Sequence, residues 1–170
     1  GLYSYIAFRG ELLAPEIMGS CSMMKGITEQ QTLKKGQVLR LAKAERREAS
    51  HASIKRKVAF FETKEIPVLK GPEFNESLLS QINRCFTIGM NSNRQAYLTH
   101  ESLAFDNYQE MLTSAVMPGT VQITAAGHLH ILMRDCQTTG GYPRILQLTE
   151  YGINLLAQKR PEDTFRFKLL

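Results

Sequence analysis

The sequence has few cysteines, and no spacing among them would support a disulfide framework. Cys21, Cys85 and Cys136 form an odd set at wide intervals, and no Cys-x-x-Cys pair occurs. Disulfide-rich scaffolds and cysteine-based zinc sites need even sets or close pairs, so both are excluded. We therefore expect a protein of a reducing compartment and predict a cytoplasmic location.

Long apolar runs are also absent. No stretch reaches the roughly 20 apolar residues that a membrane-spanning helix requires, so we predict no membrane partner. The first eleven residues, GLYSYIAFRGE, alternate like a β-strand and do not resemble a signal peptide. They include no initiator methionine, and we expect a fragment that starts within a fold.

Basic residues exceed acidic ones, and the formal net charge is +5. Lysines and arginines concentrate around residues 40–57, a density that would suit phosphate binding. Nucleic-acid recognition also needs aromatic side chains for base stacking, and none interleaves with these charges before Phe60. We interpret residues 41–57 as a solvated, charged connector and predict no nucleic-acid partner.

Short apolar segments punctuated by glycine and proline make up most of the remaining chain. Their patterns predict strands over residues 57–63, 65–69, 86–90, 120–124, 128–134, 144–148 and 164–169. Helical spacing occurs at residues 73–81, with Asn75 or Ser77 as candidate caps, and at residues 151–158. Many short strands and few helices favour a mainly-β barrel or sandwich.

One segment, DCQTTGGYP at residues 135–143, carries more polar chemistry than a hairpin turn needs. Gly140 and Gly141 permit positive φ and close approach of another molecule, and successive backbone N–H groups in such a turn can form an anion-binding nest. Gln137 offers an amide donor and acceptor, and two threonine hydroxyls follow it. No Gly-Lys-Ser/Thr sequence follows, so this is not a Walker A loop. A purely structural turn is the alternative.

The wider stretch MPGTVQITAAGHLHILMRDCQTTGGYP, residues 117–143, resembles a family signature. The family is variously called allophanate hydrolase subunit 2, urea amidolyase-related protein, Kip-type antagonist or the C subunit of 5-oxoprolinase. Its members carry Pro-x-Gly-x-Ile-Gln, a strand, and then Asp-x-Gln-Thr-Thr-Gly-Gly-Tyr-Pro. Residues 68–73, 91–97 and 18–20 are similar to further family segments, so the resemblance spans nearly the whole chain.

The resemblance implies a cyclophilin-like β-barrel and an organisation in two lobes. Residues 1–40 would be the tail of a first lobe, and residues 58–170 the second lobe. Family members take part in biotin-dependent carboxyl transfer to urea and in ATP-dependent opening of 5-oxoproline. The resemblance thus implies a hydrolase-type subunit that needs a B-like, Kip inhibitor-type partner, with an A-like protein of the same complex as a further candidate. ATP would be consumed in the complex rather than necessarily bound by this chain.

The same resemblance supplies candidate site residues for a small amide or carboxylate substrate, which we expect to bind in a cleft lined by the turn Gln137–Pro143. Gln137 and Gln122 would meet the amide, and Arg94 with the Thr-Gly-Gly backbone would meet a negative oxygen or carboxylate. Asp135 or Tyr97 would handle a proton. The remaining substrate-binding candidates are Asn91, Thr138, Thr139, Gly140, Gly141 and Tyr142. The structural alternatives are a surface ion pair for Arg94 and a core aromatic for Tyr97.

Departures from the family pattern leave a second function open. Asn93 stands where the family usually has Asp, Ala96 where it has Gly, and Leu98 where a basic residue is common. Loss of a carboxylate at 93 favours a non-catalytic regulatory module that antagonises a kinase-inhibitor partner, whereas the intact Gln137–Pro143 core favours an enzyme subunit.

Two other groups of residues could form chemical sites. His128 and His130 share one face of a predicted strand, but zinc needs another ligand, and we predict no metal site. Cys136 lies inside the motif and is interpreted as a plain, partly buried thiol.

Overall fold

The computed structural model describes residues 5–23, 26–28, 32–43, 60, 62–105, 108–109 and 111–170. The chain divides into two compact units, one of Tyr5–Ile54 and one of Lys55–Leu170 together with Gly1–Ser4. Most of the predicted connector, residues 44–57, lies outside the described residues.

In the unit of Tyr5–Ile54, the described residues form isolated bridges between extended segments rather than long strands. Leu12 bridges Leu41, and the Leu13 N–H donates to the Arg40 carbonyl at 2.9 Å. Ile17 and Ser20 exchange two backbone hydrogen bonds around Met18 and Gly19, both with positive φ. Positive φ at both central residues is the geometry of a type I′ hairpin turn. The strand suggested at the start of the chain is not found over residues 5–8, which have no regular structure.

Within its described residues, the larger unit is built from nine strands and short helices. Phe60 and Glu62, inside the strand predicted over residues 57–63, are helical, so that prediction is wrong at these two positions. The strands are β1 (Glu65–Lys70), β2 (Cys85–Thr87), β3 (Ala96–Ser102), β4 (Ser114–Ala115), β5 (Thr120–Ile123), β6 (His128–Leu132), β7 (Thr139–Gly140), β8 (Arg144–Leu148) and β9 (Thr164–Leu169). A 3-10 turn at Glu76–Leu78 leads into α1 (Leu79–Ile82), and α2 spans Glu150–Leu156. Asn75, one of the two predicted caps, accepts a hydrogen bond from the Ser77 N–H and so caps the 3-10 turn.

Seven of these strands form one sheet in the order β2-β9-β1-β8-β5-β6-β3, and β4 and β7 form a separate two-stranded ribbon. β1 pairs with β9 in parallel, and the other pairs of the sheet are antiparallel. The two edges meet where Ile88 bridges Thr99 and the Gly89 N–H donates to the Leu98 carbonyl at 2.8 Å. The sheet is therefore a nearly closed barrel, and the predicted mainly-β class with short helices is confirmed.

A glutamate continues this closure where the backbone ladder stops. The Glu101 carboxylate on β3 accepts from the Thr87 N–H at 2.7 Å and from the Thr87 hydroxyl at 2.8 Å. Burial is the largest single influence on the pKa of Glu101 and acts to raise it. The hydrogen bonds from Thr87 act in the opposite direction, and the net result is a lowered pKa. The side chain thus joins β3 to β2 in place of main-chain pairing.

Alternate residues of each strand point into the barrel, and most of these inward side chains are apolar. Val121 and Ile123 of β5 lie opposite Ile131 and Leu129 of β6, and all four are fully buried. The aromatic side chains Phe86, Phe165 and Phe167 pack against one another at ring-centroid distances of 5.1–5.9 Å. Strand alternation leaves Gln122 and His130, which also face each other, on the outer side of the wall.

Candidate functional site

Two residues of the segment DCQTTGGYP, Thr139 and Gly140, form the short strand β7 of a two-stranded ribbon, and turns and bends make up the rest. Thr139 and Gly140 of β7 pair with Ala115 and Ser114 of β4. The Val116 N–H donates to the Thr138 carbonyl at 2.9 Å and extends the pairing. The side chains of Gln137, Thr138 and Thr139 are exposed. The ribbon therefore presents an amide and two hydroxyl groups to the surroundings.

The two glycines have a different role from the one expected. Neither Gly140 nor Gly141 has positive φ, so the predicted anion-binding nest is wrong for these two residues. A nest needs left-handed backbone, and the pairing of β7 with β4 holds the Gly140 backbone extended. Gly140 instead allows close packing, because a Cβ there would lie 2.7 Å from Nε2 of Gln122.

Gln122 supports the ribbon from beneath. Only 1% of this residue is exposed, although it lies on the outer side of the barrel wall. Its Nε2 donates to the Tyr142 carbonyl oxygen at 3.1 Å. The predicted residues Gln122, Gly140 and Tyr142 are thus brought together, with Gln122 covered by the segment that it holds.

His130 belongs to the same cluster, and the sequence reasoning missed it as a site residue. It lies opposite Gln122 on β6, and its ring meets the Tyr142 ring edge-on at a centroid distance of 6.1 Å. Burial, and to a smaller extent the neighbouring His128, lower the pKa of His130. Both influences favour the neutral imidazole over the charged form. Among the described residues, no three or more His, Cys, Asp and Glu side chains are grouped to hold a metal ion.

Arg94 and Asp135 form an ion pair at the start of the segment. Arg94 Nε donates to Asp135 Oδ2 at 2.6 Å, and its Nη2 donates to Oδ1 at 2.9 Å. The Asp135 N–H also donates to the Arg94 carbonyl at 3.0 Å. The hydrogen bonds from Arg94 are the main reason that the pKa of Asp135 is lowered. The geometry favours an anchoring role for this pair over proton transfer by Asp135.

Tyr97 lies apart from the ribbon, in the barrel core. It is 1% exposed, faces Ile131 across β3 and β6, and its hydroxyl donates to the Lys159 carbonyl at 3.5 Å. This is the structural alternative considered for Tyr97, and we leave this residue out of the site.

The loop before β3 is organised by Asn93. Its Oδ1 accepts from the Gln95 N–H at 2.7 Å and from the Ala96 N–H at 3.4 Å. These bonds use one side-chain oxygen, which Asn and Asp both provide. Asn93 therefore keeps the turn that positions Arg94, whereas the predicted site residue Asn91 lies exposed two residues earlier.

Arg144 and Glu73 were also missed by the sequence reasoning. Arg144 donates to both Glu73 oxygens at 2.7 and 2.9 Å, and its Nη1 donates to the Ala115 carbonyl at 3.1 Å. These side-chain hydrogen bonds lower the pKa of Glu73 and raise that of Arg144. The pair links the ribbon to β8. Gly71 completes the contact, since a Cβ there would lie 2.2 Å from the Arg144 carbonyl oxygen.

Cys136 gives no sign of activation as a nucleophile. The thiol is partly buried, and burial is the main cause of its raised pKa. A raised pKa disfavours the thiolate, which is the reactive form.

Over the described part of the chain, no helix is long and apolar enough to cross a membrane.

A family model for the carboxyltransferase domain, subdomains A and B, matches residues 1–169, and the chain belongs to that family. The family resemblance seen in the motif is thereby confirmed.

Two curated proteins are similar in sequence to most of this chain. The chain is 34% identical to the C subunit of 5-oxoprolinase from Escherichia coli strain K12 over 93% of its own length, and 30% identical to the protein of that name from Haemophilus influenzae over 99%. It spans about half of these relatives, 53% and 56% of their lengths.

Solved structures of low sequence identity share the fold. The Kluyveromyces lactis urea amidolyase superposes with a TM-score of 0.71 over 95% of this chain and 12% of its own, at 21% identity. The Kluyveromyces lactis urea carboxylase gives a TM-score of 0.68 over 95% of this chain and 17% of its own, at 20% identity.

Proposed function

We propose that this chain is part of one subunit in a 5-oxoprolinase-type complex and that its β4–β7 ribbon binds a small amide or lactam substrate. The observation that carries the proposal is the display of Gln137, Thr138 and Thr139 on a ribbon fixed to the barrel from below. The names of the curated relatives support the type of complex.

The ribbon suits such a substrate chemically. The Gln137 amide can donate to a carbonyl and accept from an N–H, and the threonine hydroxyls can do both. Recognition of a planar group needs these donors to be held in place, because mobile side chains lose entropy on binding. Gln122 below Gly140 and the ion pair before Gln137 supply that fixed support.

The exposure of these side chains implies that another protein completes the site. Water competes for every hydrogen bond on an open surface, and active sites exclude it by closure. A B-like, Kip inhibitor-type partner, with an A-like protein as a second candidate, would cover the ribbon. ATP would be consumed in the assembled complex.

The test is ATP-dependent release of glutamate from 5-oxoproline by the full-length protein assembled with its partner subunits. Gln137→Ala should abolish turnover, because it removes the exposed amide without touching the ribbon's backbone pairing. Gln158→Ala, a glutamine beyond α2, is the matched control and should keep the wild-type rate. Retention of full activity by Gln137→Ala would exclude this site.

A regulatory, non-catalytic role is the second candidate, and one observation favours it. Asp135 is held by Arg94 and Tyr97 is buried in the core, so neither predicted proton carrier lies exposed and unpaired at the ribbon. Tight partner binding by the full-length protein without any turnover of 5-oxoproline would support this role instead.

A further inference from the structure

His130 is a titratable side chain beside the ribbon that makes no hydrogen bond. Among the described residues, none donates to or accepts from its ring nitrogens, and the ring packs edge-on against Tyr142. In the described part of the chain, the only fully buried side-chain N or O atom without a partner is Ser114 Oγ. Both nitrogens of the half-buried His130 are therefore reachable from outside the protein.

The topology places the free edge of β7 next to His130. Residues 133–143 return from the end of β6 to the start of β8 and cross the outer side of β5, which lies between those two strands in the sheet. The Ala115 carbonyl of β4 accepts from Arg144 of β8, so β4 flanks β7 on the β8 side. The opposite edge of β7 consequently faces β6, the strand that contains His130.

Main-chain groups at that edge are also unpaired. The Val116 N–H donates to the Thr138 carbonyl, and hydrogen-bonded and non-hydrogen-bonded pairs alternate along antiparallel strands. Thr139 and Ala115 are therefore a non-hydrogen-bonded pair, whose main-chain groups point away from each other. No described residue bonds the N–H or C=O of Thr139, which is exposed. Thr139 and His130 thus leave polar atoms free on the same side of the ribbon.

The surroundings of His130 suit a proton carrier. Gln122 on β5 and Leu98 on β3 lie opposite it, and neither has a charge. The titratable groups that face it are His128 on its own strand and the Tyr142 phenol. Burial, followed by His128, lowers the pKa of His130 below its ordinary value of 6.5, and both influences favour the base form that accepts a proton.

We propose that His130 is the catalytic proton carrier of the ribbon site and contacts the amide or lactam, first as general base and then as general acid. This assignment rests on the proposed function. Water adds its oxygen to the carbonyl carbon and gives one proton to the imidazole. The C–N bond then breaks with its electron pair on nitrogen, and His130 returns that proton to the nitrogen. The new carboxyl group releases the remaining proton of the water to solvent, and the ATP consumed in the complex drives the reaction.

His130→Gln in the assembled full-length complex tests this role. We expect kcat for glutamate release from 5-oxoproline to fall about 10²–10⁴-fold at an unchanged KM, the usual contribution of a positioned acid–base group. The substitution keeps a polar side chain on the outer wall, so the urea midpoint should match that of wild type. His128→Gln, two residues away and exposed, is the matched control and should keep the wild-type kcat at alkaline pH.

A second measurement does not depend on a His130 variant. The kcat/KM of the wild-type complex should fall on the acid side with a pKa below 6.5, because protonation removes the base. His128→Gln removes a positively charged neighbour, so it should raise the pKa of His130 and move this acid limb to higher pH. An NMR titration of the histidine ring protons in the full-length protein should show the same upward shift for His130.

A wild-type kcat in folded His130→Gln would overturn the assignment. So would an acid limb that stays in place in His128→Gln while the pKa of His130 rises, and this result decides alone if His130→Gln lowers the urea midpoint. In both cases the proposed function stands as long as Gln137→Ala still abolishes turnover. Failure of the wild-type complex to turn over 5-oxoproline would overturn both proposals.

Discussion

Replacement of Gly140 by alanine tests whether the ribbon depends on close packing over Gln122. The added Cβ would lie 2.7 Å from Nε2 of Gln122, closer than real Cβ contacts come. Gln122 is 1% exposed and cannot simply swing into solvent. Either the ribbon shifts outward, or the amide moves and loses its bond to the Tyr142 carbonyl.

The expected cost is similar for both responses. Overpacking of a dense region destabilises by about 1–3 kcal/mol. Breaking the amide bond and leaving buried polar groups unpaired costs about 1–3 kcal/mol. The response with the smaller free-energy cost will dominate, so we expect Gly140→Ala to lower the free energy of unfolding by about 1–3 kcal/mol.

Urea unfolding of the full chain measures this effect as a lower midpoint at unchanged slope. Gly141→Ala is the matched control, because it restricts the unfolded chain equally while its Cβ meets only the Met111 carbonyl oxygen at 3.3 Å. In a Gln122→Ala background the clash disappears, and the cost of Gly140→Ala should disappear with it. A Gly140→Ala midpoint equal to that of Gly141→Ala, or an unchanged cost in the Gln122→Ala background, would refute the packing argument.

Two further variants test an ion pair beside the ribbon and the N-terminal cap of α2. The folded-state pKa of Glu73 is lowered chiefly by hydrogen bonds from Arg144, so its stabilisation is present above the ordinary pKa of 4.5 and is lost as pH falls through the lowered value. Glu73→Gln should therefore flatten the acid side of the curve of unfolding free energy against pH. Glu76→Gln, which changes a more exposed carboxylate, is the control and should not flatten it. Parallel curves for Glu73→Gln and wild type would contradict this prediction. Thr149→Ala removes the cap on the Gly152 N–H, 3.0 Å from Oγ1, and should lower the urea-derived free energy of unfolding by about 1 kcal/mol, with Thr149→Ser restoring most of it. An unchanged value in Thr149→Ala would show that the cap is dispensable.

The apolar pattern was enough to find strands whose inward residues are apolar. β9 alternates from Thr164 to Leu169, and the structure gives it the predicted bounds; β8 was found over residues 144–148 as well. β3 was missed because its inward positions include Thr99, and its later part carries His100 and Glu101. Polar residues in these places hide a strand from a hydrophobic pattern, although their hydrogen bonds hold the barrel together.

The candidate site was located by its motif, but its internal arrangement was not. The motif did mark the segment that carries Gln137 and the two glycines. Pairing of Arg94 with Asp135 joins residues 41 positions apart, and local sequence gives no indication of it. The strand alternation that turns Tyr97 into the barrel was also invisible while β3 was unrecognised.

The sequence by itself determined the mainly-β class, most of the barrel strands and the family, because these follow from local periodicity and from a long, specific motif. Only the tertiary structure decided how the motif is used. It placed β7 against β4 in an extended ribbon, put Gln122 under Gly140, and left Ser114 Oγ buried without a partner among the described residues. These features depend on contacts between residues distant in the chain, and such contacts form only when the barrel closes.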